Sequence, residues 1–327
     1  MNRESPGPVP SIEGPSAADA ELELRVGRRQ HPGWWFATAA VLVMAAVIVN
    51  VLVTNPNVGW DHVADYFFST DILKGLLRTI ELTVLAMVIG IAIGVVVAVM
   101  RLSPIPVLSG VSWIYIWFFR GTPLLVQIIF WYNLAALFPV LSIGIPFGGP
   151  TIVSGDSNVL ITPFVAAVLG LGLNEGAYMS EIVRGGIQSV DHGQTEAATA
   201  LGMTRGRTMR RIVLPQAMRV IIPPTGNQVI SMLKSSSLVS VTSLPELLYS
   251  AQLIYNANFL TIPLLIVASI WYLIVTSVLS WGQYYVERHY ARGSARSLPL
   301  TPPQKLRRRL VQGRARWEAR TRQGGRA

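Results

Sequence analysis

The sequence predicts an all-α membrane protein with six transmembrane helices and both chain ends on the cytoplasmic side. Three observations carry this reading. Only 13% of the 327 residues are charged, while 51% are hydrophobic. A soluble domain carries roughly 25% charged residues, so much of this surface does not face water. Apolar runs recur along the chain at about the 20 residues a helix needs to cross a bilayer. Basic residues are also placed unevenly: Glu287 to Ala327 holds twelve Lys and Arg against two acids and accounts for the whole net charge of +10.

Composition excludes several chemistries. The chain has no cysteine, which removes disulfides, thiolate metal sites and cysteine nucleophiles. The histidines, His31, His62, His192 and His289, have no partners at helical ligand spacing, so a zinc site has no support. No GxxxxGK[ST] string occurs, so the chain has no P-loop with which to hold ATP.

The elements follow in order. Residues 1–33 are polar and rich in Pro, Ser, Ala and Glu, and read as a disordered tail. Trp34 to Val53 is an uncharged apolar run behind Arg25, Arg28 and Arg29. It is long for a signal-peptide core and has no convincing cleavage site after it, so it reads as an uncleaved anchor helix. A second span, near Thr79 to Met100, contains Gly90 and Gly94 four apart, a spacing that lets a neighbouring helix come close. Val107 to Leu137 is too long for one simple helix. It is interrupted by RGTP at Arg120 to Pro123 and reads as a lead-in segment, a break and a main span. Phe138 to Asn158 is Gly/Pro-rich and reads as an external loop. A fourth span covers about Leu160 to Val183. A polar stretch runs from Arg184 to about Pro224, with Arg184, Arg205, Arg207, Arg210, Arg211 and Arg219. The fifth span, near Gly226 to Leu244, contains Lys234. The sixth runs from Ile262 to about Tyr284, and the basic tail follows.

Alternating six spans from a cytoplasmic N-terminus puts Arg101, the six loop arginines and the tail on one side. The external loops then hold only Lys74 and Arg78. Cytoplasmic loops carry the excess of Lys and Arg, which sets the orientation.

The long cytoplasmic loop is the most informative segment. Asp191 is a good N-cap, and Gln194 three residues later can complete a capping box. Good helix formers follow, and Gly202 suits the left-handed position that ends a helix. A second short basic helix is expected from about Thr204 to Val213, stopping before Pro215. A short, self-capped helix made slim by Ala197, Ala198 and Ala200 is suited to docking in a partner's groove; the plain alternative is a loop lying on the membrane.

Glu196, Ala197, Ala198, three residues, Gly202, nine residues, Ile212, one residue, Leu214 and Pro215 together resemble the EAA-type coupling loop of permease subunits of bacterial ABC importers. RGTPLLVQ at Arg120–Gln127, EGAYMSEIVRGGIQSV at Glu175–Val190 and LPQAMRVIIPPTGNQ at Leu214–Gln228 resemble the polar amino acid uptake branch. The resemblance covers roughly residues 70–285. It implies a five-helix permease domain there, with its coupling loop at 184–224. An extra N-terminal helix at 34–53 and tails at 1–33 and 286–327 lie outside it. It implies a multi-pass protein of the bacterial inner membrane that translocates a polar amino acid or close analogue. The implied partners are a second permease subunit, a pair of ABC ATPase subunits gripping the coupling helices, and an external solute-binding protein. No cofactor is expected on this chain, with ATP-Mg bound and hydrolysed in the ATPase partner. Glu196, Ala197, Ala198, Gly202, Ile212, Leu214 and Pro215 would form the joint. The family pattern places an acidic or amide residue after the lysine, where this chain has KSSSL at Lys234–Leu238.

Two side chains are candidates for substrate contact. Glu175 can meet the amine of an amino acid, or pair with Arg120, Arg184 or Lys234. Lys234 can meet a carboxylate, or lie near the cytoplasmic interface with its ammonium extended towards water. Arg120 is placed to cap carbonyls freed at the Pro123 break, and Glu181 and Arg184 at i, i+3 can pair across one turn. The basic tail reads as a positive-inside tail or a lipid-surface helix, with no nucleic-acid partner expected. The rival reading is a self-sufficient secondary transporter or channel. That would call for paired intramembrane acids or an inverted repeat, and a membrane enzyme would call for a convergent catalytic set.

Overall fold

The computed structural model describes residues 32–145 and 151–290, so all but a few residues of the two expected tails lie outside the described residues. It divides into two units, Met1–Val58 and Gly59–Ala327.

In the first unit, helix α1 spans Pro32–Thr54. Every side chain described along it is exposed. An apolar helix with no packed face is a helix suited to lipid.

The second unit opens with the short helix α2, Trp60–Phe67, and the 32-residue α3, Thr70–Arg101. Helix α3 begins nine residues before the expected span, because its first turns mix charged Asp71, Lys74 and Arg78 with buried Ile72 and Gly75. Helices α4, Pro106–Gly121, and α5, Leu124–Tyr132, are bent by 101° at Thr122–Pro123. The break falls where RGTP predicted it. The expected main span after it is corrected, since α5 has only nine residues.

The external loop expected at 138–158 contains an antiparallel hairpin, β1 Val140–Gly144 with β2 Thr151–Asp156. A turn of helix, α6 (Ser157–Leu160), leads into α7, Pro163–Gln188, where Pro163 sits in the first turn and the Thr162 hydroxyl caps the Val165 amide. Next come α8, His192–Ala200, and α9, Arg205–Thr208.

Pro215 does not stop the chain. A π-helical turn at Met209–Val213 runs directly into α10, Leu214–Ser235, with Pro215 in its first turn. Proline removes one N–H and crowds the preceding turn, and the widened π turn stands where that crowding falls. The polar stretch expected to reach Pro224 is therefore mostly helical. Pro223 and Pro224 lie inside α10, and the Gln283 amide donates to the Pro223 carbonyl at 3.4 Å. The expected fifth span at 226–244 is corrected accordingly. Helix α10 ends at Ser235, a 3₁₀ segment covers Ser236–Thr242, and Ser243 turns left-handed at φ 59°. Then α11, Leu247–Asn258, and α12, Thr261–Tyr290, complete the described residues, α12 running past the expected end at Tyr284.

Two apolar clusters hold the second unit. One joins Leu82 and Ala86 of α3, Ile128 of α5, Leu171 and Met179 of α7, and Ala217 and Ile221 of α10. The other joins Val63 of α2, Ile72 of α3, Leu247 of α11 and Leu264 and Val267 of α12. Helix α7 is the central element, in contact with α3, α4, α5 and α10. Helices α3 and α7 touch through glycine: a Cβ on Gly90 would stand 2.7 Å from the Glu175 Cβ, and one on Gly94 2.5 Å from the Met179 Cβ. That is the close approach read from the Gly90/Gly94 spacing.

Among the described residues, three helices are long and apolar enough to cross a membrane: α1, α3 and α12. The bent α4–α5 pair makes a fourth when its halves are taken together. Helices α7 and α10 carry Asn174, Glu175, Glu181, Arg219, Asn227 and Gln228, which lower their apolar content.

Candidate functional site

Two regions gather the residues singled out by the sequence. The first is the loop helix α8. The Asp191 side chain accepts the Gly193 amide at 2.7 Å. The helix is thus capped by Asp191, but among the described hydrogen bonds Gln194 does not close the reciprocal half of the expected capping box. At the other end the Gly202 amide donates to the Thr199 carbonyl at 2.9 Å and the Met203 amide to the Ala198 carbonyl at 3.0 Å. Gly202 stands at φ +74°. This pair of bonds around a left-handed residue is the Schellman arrangement, which the position of Gly202 anticipated.

Helix α8 is attached on one side only. Ala198 is turned inward at 1% exposure, whereas Glu196, Ala197, Ala200 and Gly202 are exposed. Leu201, beside the cap, is 82% exposed. Thr195, Glu196, Thr199 and Ala200 line an open hollow of about 480 Å³. A Cβ built on Gly202 would meet nothing within 4 Å. Ile212 is half-buried in the π turn, and Leu214 and Pro215 are exposed at the start of α10. The loop therefore joins an exposed helix to α10 through a widened turn.

The second region surrounds the middle of α7. The break between α4 and α5 leaves the Phe119 and Thr122 carbonyls without helical partners. Arg120 does not serve them: its guanidinium lies over the Tyr178 ring, 5.2 Å from the centroid. Gln127 does so instead, its amide donating to the Phe119 carbonyl at 3.0 Å and the Thr122 carbonyl at 3.1 Å. Asn174 adds a second donor to the Phe119 carbonyl at 2.8 Å, and the Tyr115 hydroxyl donates to the Leu173 carbonyl at 2.6 Å. An amide reaches inward carbonyls from within a packed bundle without burying a charge, which makes it the less costly cap here.

Glu175 follows in this belt and is 4% exposed. The Gln228 amide donates to its two oxygens at 3.2 and 3.3 Å. Among the described residues the ion pairs are Arg78–Glu81 and Arg184–Glu181. The anticipated Glu181–Arg184 pair is present and two-pronged, at 3.2 and 2.6 Å. Glu175 pairs with none of Arg120, Arg184 and Lys234. Lys234 is exposed in the last turn of α10, about 30 Å along the helix from Leu214 at 1.5 Å per residue. The helix starts well before the expected span rather than after it.

Sequence reasoning passed over Gln127, Asn174, Gln228 and Glu246. Glu246 is fully buried and caps α11, accepting the Leu248 and Tyr249 amides at 3.0 and 2.7 Å, the Tyr272 hydroxyl at 3.0 Å and the Thr79 hydroxyl at 3.4 Å. A Pro-Glu pair before an apolar run was its one available signal, as a helix start.

Residues 87–292 match the family described as binding-protein-dependent transport system inner membrane component. The chain is 46% identical over 288 residues to the arginine transport system permease protein ArgU of Corynebacterium glutamicum, covering 88% of this chain and 89% of that one. It is 37% identical over 234 residues to the L-cystine transport system permease protein TcyB of Bacillus subtilis, covering 71% and 92%. Among solved structures it resembles a chain of an amino acid ABC transporter crystallised with histidines, at 38% identity and a TM-score of 0.57, over 67% of this chain and 94% of that one. A chain of the inward-facing MetNI methionine ABC transporter shares the fold at 16% identity and a TM-score of 0.52, over 68% and 97%.

Proposed function

Since the chain belongs to the family of inner membrane components of binding-protein-dependent transport systems, we propose that it is the permease subunit of an ATP-driven importer of polar amino acids, with a cationic amino acid as the first substrate to test. The 46% identity to a permease named for arginine transport supports that cargo. So does Glu175, a buried carboxylate with no cationic partner among the described residues. A substrate ammonium or guanidinium would supply the missing charge, with the Gln228 amide holding the carboxylate in place. Lys234, exposed further along α10 and in no ion pair among the described residues, would meet a substrate carboxylate in this reading.

In this reading the chain sits in the bacterial inner membrane with six spans. These are α1, α3, the α4–α5 pair, α7, α10 with its 3₁₀ extension, and α12. Both termini are cytoplasmic, as the basic residues dictate. The permease domain covers residues 70–285 and its coupling loop 184–224. Two permease subunits, identical or homologous, line the pathway. Two ATPase subunits bind and hydrolyse ATP-Mg, and an external binding protein delivers the amino acid.

The observation that carries the proposal is α8. It is capped at both ends, anchored through Ala198, and exposed over Glu196, Ala197 and Leu201. This is a rigid knob with its outer side open. Closure of the ATPases would displace α8, and the displacement would pass through Ile212, Leu214 and Pro215 into α10, whose Gln228 touches Glu175. The test is ATP hydrolysis by the complex in liposomes, with binding protein loaded with each amino acid in turn. Gly202→Asp places a side chain and a charge where the partner should seat, on a left-handed backbone that costs a non-glycine residue about 1 kcal/mol. Stimulation by one class of amino acid, lost in Gly202→Asp while the complex still assembles, is the expected result. Uptake without any ATPase would overturn the reading in favour of a secondary transporter.

A further inference from the structure

A second polar site lies away from Glu175, in a cleft between the first three turns of α3 and the start of α11. Its volume is about 580 Å³, and Asp71, Lys74, Leu77, Arg78, Glu81, Pro245, Ser250, Leu253 and Ile254 line it. That size is within the range of small-molecule pockets. The charged residues share one stripe of α3, three and four residues apart, so they face the cleft together.

They are not equivalent. Arg78 is occupied, donating to Glu81 at 2.7 Å and lying over the Phe164 ring 5.2 Å from its centroid. Asp71 and Lys74, one turn apart, have no ion pair or hydrogen bond among the described residues. The floor is Ser250 against Gly75, where a Cβ would collide with the serine side chain. Ser250 is 4% exposed and lines the cleft. The cleft thus offers one free anion, one free cation and one hydroxyl in its lining, beside an apolar wall of Leu77, Pro245, Leu253 and Ile254.

We propose that this cleft binds the zwitterionic backbone of an α-amino acid on the outer side of the membrane, as a loading site ahead of Glu175. Lys74 holds the carboxylate, with the Ser250 hydroxyl donating to the same group. Asp71 holds the ammonium, and the apolar wall receives the side-chain stem. Because only the groups common to all amino acids are read, the site admits cargo without choosing among side chains. The inference rests on the cargo class and sidedness proposed above.

The test uses the complex of this chain with its ATPase pair in nanodiscs, without binding protein. The probe is radiolabelled L-arginine, compared with L-glutamine and with agmatine, which lacks the carboxylate. All measurements are made in a Glu175→Gln background, so that the outer site is read alone. Lys74→Met and Asp71→Asn should each weaken arginine binding about 10-fold, as expected for loss of a charged pair in a partly open site. Leu253→Trp, which fills the cleft without touching a charge, should abolish it. Agmatine should bind more weakly than arginine to the parent and lose nothing further in Lys74→Met, a pattern that misfolding cannot imitate. Unchanged arginine binding in Lys74→Met, Asp71→Asn and Leu253→Trp would overturn the proposal while leaving the importer reading intact. Binding lost when phosphatidylethanolamine replaces phosphatidylcholine would overturn it too, by assigning the cleft to a lipid headgroup of the same charge pattern. If the otherwise unaltered complex, with binding protein, imports no amino acid, both proposals fail.

Discussion

At the residue scale, a few positions are determined by how closely two backbones approach. Gly90 and Gly94 bring α3 against Glu175 and Met179 of α7. The Gly90→Leu variant has nowhere to place its side chain, because the neighbour across the contact is the Cβ of a buried glutamate on a packed helix. It should destabilise the protein by about 1–3 kcal/mol, the usual cost of overpacking, visible as a lower melting temperature in detergent. Gly202 is the opposite case: space around it is open, and the constraint lies in its positive φ. Glu246 is the polar counterpart, a buried carboxylate that accepts from two amides and two hydroxyls on three elements. Glu246→Ala would leave those donors buried without an acceptor and should cost at least about 3 kcal/mol. Glu246→Gln, which keeps an oxygen in place, should cost less when the two are melted side by side.

At the element scale, the instructive feature is the α4–α5 bend. Pro123 breaks the helix because it has no N–H to give and biases the residue before it towards extended backbone. A bend of 101° inside a bundle exposes carbonyls that must be paired away from water. Gln127 and Asn174 pair them. Gln127→Leu keeps the bulk but removes the donor, and should destabilise the protein by about 1–3 kcal/mol. In uptake assays it should also reduce transport, since Asn174 precedes Glu175 and both side chains depend on the same stretch of α7. The segment after α8 shows a related device. A π turn before Pro215 lets α9 and α10 run as one continuous helical rod, which under the proposed function would carry movement at α8 towards Gln228.

At the scale of the whole molecule, the proposed six-span arrangement rests on charge, and its test is clean because the chain contains no cysteine. Single cysteines can be placed at Ser11, Gly155, Thr199, Phe259 and Ser294. A maleimide that does not cross membranes should label Gly155→Cys and Phe259→Cys in intact spheroplasts. Ser11→Cys, Thr199→Cys and Ser294→Cys should react only after permeabilisation. Labelling of Ser294→Cys from outside would remove the six-span arrangement. The buried carboxylates belong to this scale as well: Glu175 takes its donor from α10, and Glu246 takes donors from α3, α11 and α12. Glu175→Gln should lower uptake of a cationic amino acid by roughly 10-fold or more, with a smaller effect on a neutral one, as expected when a charged partner is removed from a buried pair.

The chain by itself determined the membrane class, the apolar helix α1, the break at RGTP, the glycine contact of α3 and the capped helix α8. Each of these depends on local information: apolar length, a missing N–H, a residue without a Cβ, a cap and a left-handed stop. What only the tertiary structure decided was non-local. The continuity of α10 through Pro215, Pro223 and Pro224 was hidden, because proline propensity is a local rule that packing against α7 and α12 overrides. The hairpin at 140–156 was hidden behind glycines and prolines. Arg120 was assigned the carbonyls that Gln127 serves, since spacing along the chain cannot tell which donor folds back across a right-angle bend. Glu175 stood out in sequence as a charge within a span. That it has Gln228 beside it and no cation among the described residues depends on where α7 and α10 meet, and a single sequence does not encode that meeting in any window short enough to read.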